Sequence, residues 1–78
     1  TLITTGVEQW NVGNTDRAME CFQASLTLVP ENPEAMYYVG RLYQDAGDTA
    51  NANAMFDQVV GNFPDSEYAS RAQSARGY

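Results

Sequence analysis

The sequence contains no histidine, no lysine and a single cysteine, Cys21. Without histidine, this chain cannot build a Ser-His-Asp triad, an imidazole base or a histidine metal site. One cysteine cannot form a disulfide within the chain, so cysteine usage leaves the redox compartment open. Cys21 lies between Glu20, whose charge disfavours a thiolate, and Phe22, so we interpret it as a packing residue.

Positive charge is also scarce, because ten acidic residues face four arginines and the net charge is -6. An acidic chain is a poor match to a phosphate backbone, so we expect no nucleic-acid partner. Two explanations of the missing lysine stay open. One is a high-GC genome, although arginine is scarce too. The other is a salt-adapted source, whose acidic surface keeps the chain solvated when salt screens its self-repulsion.

Long apolar runs are absent, and none approaches the ~20 residues that a membrane span needs, so we expect no direct membrane insertion. No secretory signal pattern opens the chain. It begins at Thr1, which we expect of an excised domain or a processed chain. With 78 residues and a hydrophobic fraction of 44%, the sequence predicts one small folded domain, residues 1–78.

The sequence repeats itself with a shift of 34 residues, which aligns Gly6 with Gly40 and Gly13 with Gly47. The positions that are identical in both units are mostly small residues, turn residues and one core aromatic, as a repeated backbone requires. The same shift produces five further identities: Thr15 with Thr49, Ala18 with Ala52, Phe22 with Phe56, Pro30 with Pro64, and Ala35 with Ala69.

Helical periodicity and end signals predict an all-α chain, since no segment alternates with the period of a strand. The predicted helices span about 2–12, 15–29, 33–46, 49–61 and 67–76. The predicted N-caps are Asn14, Asn32 and Asp48. Gly13 and Gly47 mark two predicted helix ends, and Gly61, Asn62 and Pro64 together mark the predicted end of the fourth helix. We expect Gly6 and Gly40 to face Ala18 and Ala52, so that a larger side chain such as leucine at Gly40 would lower the melting temperature.

These residues resemble the pattern of the tetratricopeptide repeat, W-x2-L-G-x2-Y…A-x3-F…P. The second unit supplies Met36, Val39, Gly40, Tyr43, Ala52, Phe56 and Pro64. The first supplies Leu2, Thr5, Gly6, Gln9, Ala18, Phe22 and Pro30, and departs from the pattern at Thr5 and Gln9. The resemblance implies an α-α superhelix of helical hairpins, with repeat 1 at about 1–32, repeat 2 at about 33–66 and a polar capping helix at about 67–76.

The segment "NFPDSEYASRAQ" is also similar to the junctions of bacterial cell-envelope members of this family. Cytoplasmic members share the junction. This similarity favours a bacterial source and leaves the compartment open between cytoplasm and cell envelope.

The resemblance further implies a concave groove that binds an extended peptide or a partner helix. Its expected lining is Ile3, Val7, Trp10, Asn11, Glu34, Tyr37, Tyr38, Arg41, Gln44, Asp45, Tyr68, Arg71 and Ala75. Trp10, Tyr37 and Tyr38 would act as contact platforms, while Arg41 and Arg71 would pair with a carboxylate. In the alternative, the aromatic rings pack against each other and the arginines balance Glu34 and Asp45.

The family's clamp for heat-shock-protein tails needs lysines, asparagines and an arginine at places that here hold Ile3, Val7, Tyr38, Arg71 and Ala75. Only Arg71 is basic and neither asparagine is present, which argues against such tails as partners.

We therefore expect a non-catalytic protein-interaction module with no cofactor and no metal, because nothing assembles a nucleophile, a base and an oxyanion donor. The alternative is a structural unit that self-associates or stacks within a longer repeat protein, including one in cell-envelope assembly.

Overall fold

The computed structural model describes residues 2–76, and these residues form helices and turns without a strand. The prediction of an all-α chain of helical hairpins is confirmed, and each predicted helix boundary is within one residue of the observed one. The helices are α1 (Leu2–Asn11), α2 (Thr15–Leu28), α3 (Pro33–Asp45), α4 (Thr49–Asn62) and α5 (Glu67–Arg76).

The helices pair along the chain: α1 packs on α2, and α3 packs on α4. The contact between α2 and α3 joins the two hairpins, and α5 packs on both α4 and α3. As a result α3 lies between the first hairpin and α5, and it contacts α2, α4 and α5.

The turn inside each hairpin has the same geometry. Gly13 has φ +85° and Gly47 has φ +84°, a left-handed conformation that glycine adopts without steric cost. In both turns the N–H after the glycine donates to the carbonyl oxygen five residues earlier, at 2.8 Å. This is the Schellman arrangement that ends a helix, and it confirms Gly13 and Gly47 as helix ends.

The caps of α3 and α4 are confirmed. Asn32 accepts a hydrogen bond from the backbone N–H of Ala35, and Asp48 accepts one from that of Asn51. Asn14 occupies the predicted N-cap position before α2, but its side chain makes no capping hydrogen bond. Its Nδ2 instead donates to Oε1 of Gln9 at 3.1 Å, which turns the amide away from the start of α2.

The fourth helix ends among the residues predicted to end it, Gly61, Asn62 and Pro64. Gly61 lies inside α4, which continues to Asn62. The helix stops where Phe63 precedes Pro64, since the proline ring disfavours helical backbone in the residue before it.

The core consists of two clusters that meet at α3. The first joins Ala18 and Phe22 of α2 to Val39 and Leu42 of α3. The second is built around α3, α4 and α5, and comprises Tyr37, Ala52, Phe56, Val59, Ala69 and Ala72. Opposite sides of α3 therefore belong to different clusters, which holds both hairpins in one packed unit.

Gly6 in α1 and Gly40 in α3 make room for phenylalanine rings. A Cβ added at Gly6 would lie 2.6 Å from Cε1 of Phe22, and one at Gly40 would lie 2.5 Å from Cε1 of Phe56. The expectation of close approach is confirmed, and the atoms nearest to the added Cβ belong to Phe22 and Phe56. The ring fills the space that the missing side chain leaves, so the glycine and the phenylalanine are one packing unit.

Candidate functional site

One face of the molecule, formed by α1, α3 and α5, collects the residues that the sequence singled out. We call it the α1–α3–α5 face and define it by the predicted lining: Ile3, Val7, Trp10, Tyr37, Tyr38, Arg41, Gln44, Tyr68 and Arg71. Ring contacts, hydrogen bonds and two surface depressions connect these side chains.

Tyr38 is at the centre of a chain of aromatic contacts across this face. Its ring centroid lies 6.1 Å from that of Trp10, 6.2 Å from that of Tyr68 and 5.1 Å from that of the buried Phe22. Contacts of this length add modest stabilisation beyond the area they bury. These contacts connect the rings of α1, α3 and α5 to the buried Phe22 of α2.

Tyr37 differs from Tyr38, because it is only 8% exposed. Its ring lies 6.0 Å from that of Phe56 and 5.8 Å from that of Tyr68, between α3, α4 and α5. For Tyr37 the structure favours the packing alternative over a contact platform, whereas Tyr38 and Trp10 remain partly accessible.

Glu34 of α3 links its helix to α5 by a hydrogen bond across this face. It accepts a hydrogen bond of 2.5 Å from the Tyr68 hydroxyl. That hydrogen bond, with burial and the charge of Glu34, raises the pKa of Tyr68 above its ordinary value. Burial, and then the charge of Glu34, raises the pKa of Tyr38 as well. Both phenols therefore stay protonated at neutral pH.

Two further hydrogen bonds fix the far end of the face. The indole Nε1 of Trp10 donates to Oδ2 of Asp45 at 3.1 Å, which links α1 to the end of α3. Nε2 of Gln44 donates to the carbonyl oxygen of Ala75 at 2.7 Å, which links α3 to α5. Gln44 thus already has a structural partner within the chain.

The two arginines do not balance Glu34 and Asp45, so that part of the alternative is wrong. Nη1 of Arg41 donates to the hydroxyl of Tyr37 at 3.0 Å, and its Nε is buried without a hydrogen-bond partner among the described residues. Arg71 makes a 3.6 Å ion pair with Glu67 on its own helix, and both side chains are more than half exposed.

Two depressions lie on either side of this part of α3. The first, of about 730 Å³, lies between α1, the end of α2 and the start of α3. Glu8, Glu34 and Asn32 line part of it, but its walls are mostly apolar: Leu2, Ile3, Val7, Leu28, Val29 and Tyr38. The second, of about 410 Å³, lies between α3 and α5 and is lined by Tyr37, Arg41, Ser70, Arg71, Ser74 and Ala75.

Sequence reasoning missed part of both depressions. Leu28 and Val29 are 73% and 53% exposed beside the first one. In sequence they are the apolar end of a helix before a proline and carry no sign of exposure. Ser70 and Ser74 line the second depression, and only the polar character of the last helix hinted at a surface there.

Within residues 2–76 no three histidine, cysteine or acidic side chains group as they would around a metal ion. No helix within that range is long and apolar enough to cross a membrane.

Comparison with known proteins identifies one segment. Residues 34–66 match the family model of the tetratricopeptide repeat, and they contain almost all of α3 and α4 with the turn between them. No curated protein and no solved structure matches the chain.

Proposed function

Since the chain carries a tetratricopeptide repeat at residues 34–66, a repeat characteristic of protein-interaction modules, we propose that it binds a segment of a partner protein on its α1–α3–α5 face without catalysing a reaction. The observation that carries this proposal is the apolar depression between α1 and α3, with accessible aromatic rings beside it.

The physical argument rests on exposed apolar area and rigidity. Apolar and aromatic side chains in a depression gain free energy when a partner covers them, at about 25 cal/mol per Å². The Trp10 side chain makes a hydrogen bond to Asp45 and a ring contact with Tyr38. Binding a partner would therefore cost little further side-chain entropy at these two residues. Tryptophan, tyrosine and arginine are the residues that most often dominate binding energy at interfaces.

The test is a selection of binding peptides from a random display library, followed by titration of the selected peptide into labelled protein. We predict amide shifts along α1, α3 and α5 together with a change in Trp10 fluorescence. Shifts confined to the outward residues of α2 and α4 would contradict binding on this face.

A pair of valines provides the matched control. Val7 lines the depression, while Val12 is exposed outside its lining. Val7→Ser should weaken peptide binding several-fold to about tenfold, because buried apolar contact is lost. Val12→Ser should leave the affinity unchanged. Melting curves of both variants separate lost binding from lost folding.

The exposed Leu28 and Val29 favour a second candidate, in which a further copy or a further repeat covers them. Sedimentation of the same samples distinguishes it. A mass that rises with concentration supports self-association, whereas a constant mass of 8.6 kDa argues against it.

A further inference from the structure

We propose that the molecule binds an arginine side chain of a partner protein at a second surface, a depression between the loop before α3 and the end of α4. We call this surface the loop edge and define it by its lining: Pro30, Glu31, Met36, Asn62 and Phe63. The depression measures about 500 Å³. None of its residues lines either depression of the α1–α3–α5 face, so this surface is separate from the one in the proposed function.

The loop edge lies where the 34-residue repeat brings two equivalent loops together. Residues 29–31, before α3, read Val-Pro-Glu, and residues 63–65, before α5, read Phe-Pro-Asp. The proline ring fixes one backbone angle of each loop, which limits how far the loop can move. Both loops therefore present an apolar side chain beside a carboxylate.

Phe63 is the aromatic residue that the core of the described chain does not use. Every other aromatic residue among residues 2–76 belongs to a core cluster, whereas Phe63 packs into neither and stays partly exposed. Val29, at the equivalent place in the first loop, is 53% exposed. An accessible aromatic ring beside a depression offers its face to a cation.

The carboxylates of the two loops have no counter-ion from the described chain. Glu31 and Asp65 are exposed, and neither carboxylate makes a hydrogen bond or an ion pair among residues 2–76. A cationic partner would meet unopposed negative charge here, whereas an anionic one would be repelled. The arginines all lie elsewhere: Arg17 in α2, Arg41 in α3, and Arg71 and Arg76 in α5.

An arginine side chain matches the chemistry of this lining. Its aliphatic stem can cover Pro30 and Met36, because long basic side chains bury their stems along apolar surface. Its planar guanidinium can stack on the ring of Phe63 and donate two parallel hydrogen bonds to the carboxylate of Glu31. Lysine has the same charge but neither the flat face nor the paired donors, so arginine should bind more tightly.

The test uses synthetic peptides, acetylated and amidated so that only side chains carry charge. Each carries two arginines in a glycine-serine background, without apolar residues that could enter the depression between α1 and α3. Parallel sets carry lysine in place of arginine, or citrulline, which has nearly the shape of arginine but no charge. Binding is followed by amide shifts of labelled protein at low and at moderate salt.

We expect the arginine peptides to shift the amide signals of Glu31, Asn62 and Phe63, and to bind several-fold more tightly than the lysine and citrulline peptides. Glu31→Gln should weaken arginine binding several-fold, a modest effect because exposed ion pairs are screened by water and salt. Phe63→Leu should remove the preference for arginine over lysine, because it keeps apolar surface but removes the ring.

Two controls separate this site from general charge attraction and from the proposed function. Glu20→Gln removes the same charge at an exposed position on α2 and should leave the affinity unchanged. Val7→Ser alters the α1–α3–α5 face and should leave it unchanged too, so the two surfaces are tested independently. Glu31 is exposed, so Glu31→Gln keeps the test valid if Phe63→Leu does not fold.

Three results would overturn the inference. Equal affinity for the arginine and citrulline peptides would show that the loop edge does not recognise the charge. Equal losses in Glu20→Gln and Glu31→Gln would indicate only the general attraction of a cationic peptide to an acidic protein. A mass that rises with protein concentration in sedimentation, and that Phe63→Leu returns to the monomer, would assign the loop edge to a second copy of the chain.

Discussion

At the scale of single residues, the helical glycines Gly40 and Gly61 differ in what surrounds the missing side chain. Gly40 lies inside α3, where glycine costs about 1 kcal/mol relative to alanine. The fully buried ring of Phe56 occupies the space beside it. Gly61 also lies inside a helix, but an added Cβ there would meet nothing within 4 Å. The same residue type therefore has opposite consequences at the two positions.

We predict that Gly40→Ala lowers the free energy of unfolding by about 1–3 kcal/mol, because a Cβ forces the Phe56 ring to move in a packed core. Gly40→Leu should lower it further despite the better helix propensity of leucine. Chemical denaturation of the purified variants measures both changes.

Gly61→Ala is the matched control and should raise the free energy of unfolding by up to about 1 kcal/mol, since only helix propensity changes. If Gly40→Ala proves as stable as Gly61→Ala, the ring does not need the space and the packing argument is wrong.

At the scale of the elements, two similar turns start their second helices differently. Asp48 caps α4 through the N–H of Asn51 and also accepts from the Asn51 side chain at 2.7 Å. Asn14 occupies the equivalent place before α2 but bonds to Gln9 instead. The repeat therefore preserves the left-handed glycine and the backbone path, but not the cap.

We predict that Asp48→Ala lowers the free energy of unfolding by about 1 kcal/mol, the usual value of an N-cap hydrogen bond. Asn14→Ala should cost clearly less, because it removes only an exposed contact between side chains. Thermal melts followed by circular dichroism compare the two, and equal losses would contradict the assignment of the caps.

At the scale of the whole molecule, α5 is held by a small core and by polar ties. Ala69 and Ala72 supply its buried apolar surface, which is small. The Tyr68 hydroxyl donates to Glu34 of α3, and Gln44 of α3 donates to the carbonyl oxygen of Ala75. Nη1 of Arg76 forms an ion pair with Oδ1 of Asp57 on α4, at 2.6 Å. Polar interactions thus hold in place the helix that carries Arg71.

We predict that the hydrogen bond from the Tyr68 hydroxyl to Glu34 stabilises the fold less at alkaline pH. The pKa of Tyr68 in the folded protein lies above that of an unfolded tyrosine, about 10. Its contribution to stability is therefore complete below pH about 10 and is lost as pH rises through the folded pKa. Urea denaturation at stepped pH should show a steep alkaline fall for the wild type and a shallower one for Tyr68→Phe.

Tyr43→Phe, which lies outside the Glu34 cluster, is the matched control for loss of a tyrosine hydroxyl. It should keep the steep alkaline fall. Identical pH profiles for the wild type and Tyr68→Phe would show that the hydrogen bond to Glu34 contributes nothing to stability.

The sequence by itself determined the helices, the two glycine turns and the register of the repeat. These features depend on local chemistry: apolar spacing, left-handed glycine, and proline, whose ring disfavours helix in the residue before it. The common face of α1, α3 and α5 was expected only from the resemblance to the tetratricopeptide repeat.

Only the tertiary structure decided what those side chains do. It buried Tyr37 between Phe56 of α4 and Tyr68 of α5, while its neighbour in sequence, Tyr38, stayed partly accessible. It paired Glu34 with Tyr68 and Asp45 with Trp10, while Arg41 donates to the Tyr37 hydroxyl and has no carboxylate partner among residues 2–76. Such pairings join residues about 35 positions apart, and local pattern carries no information on them.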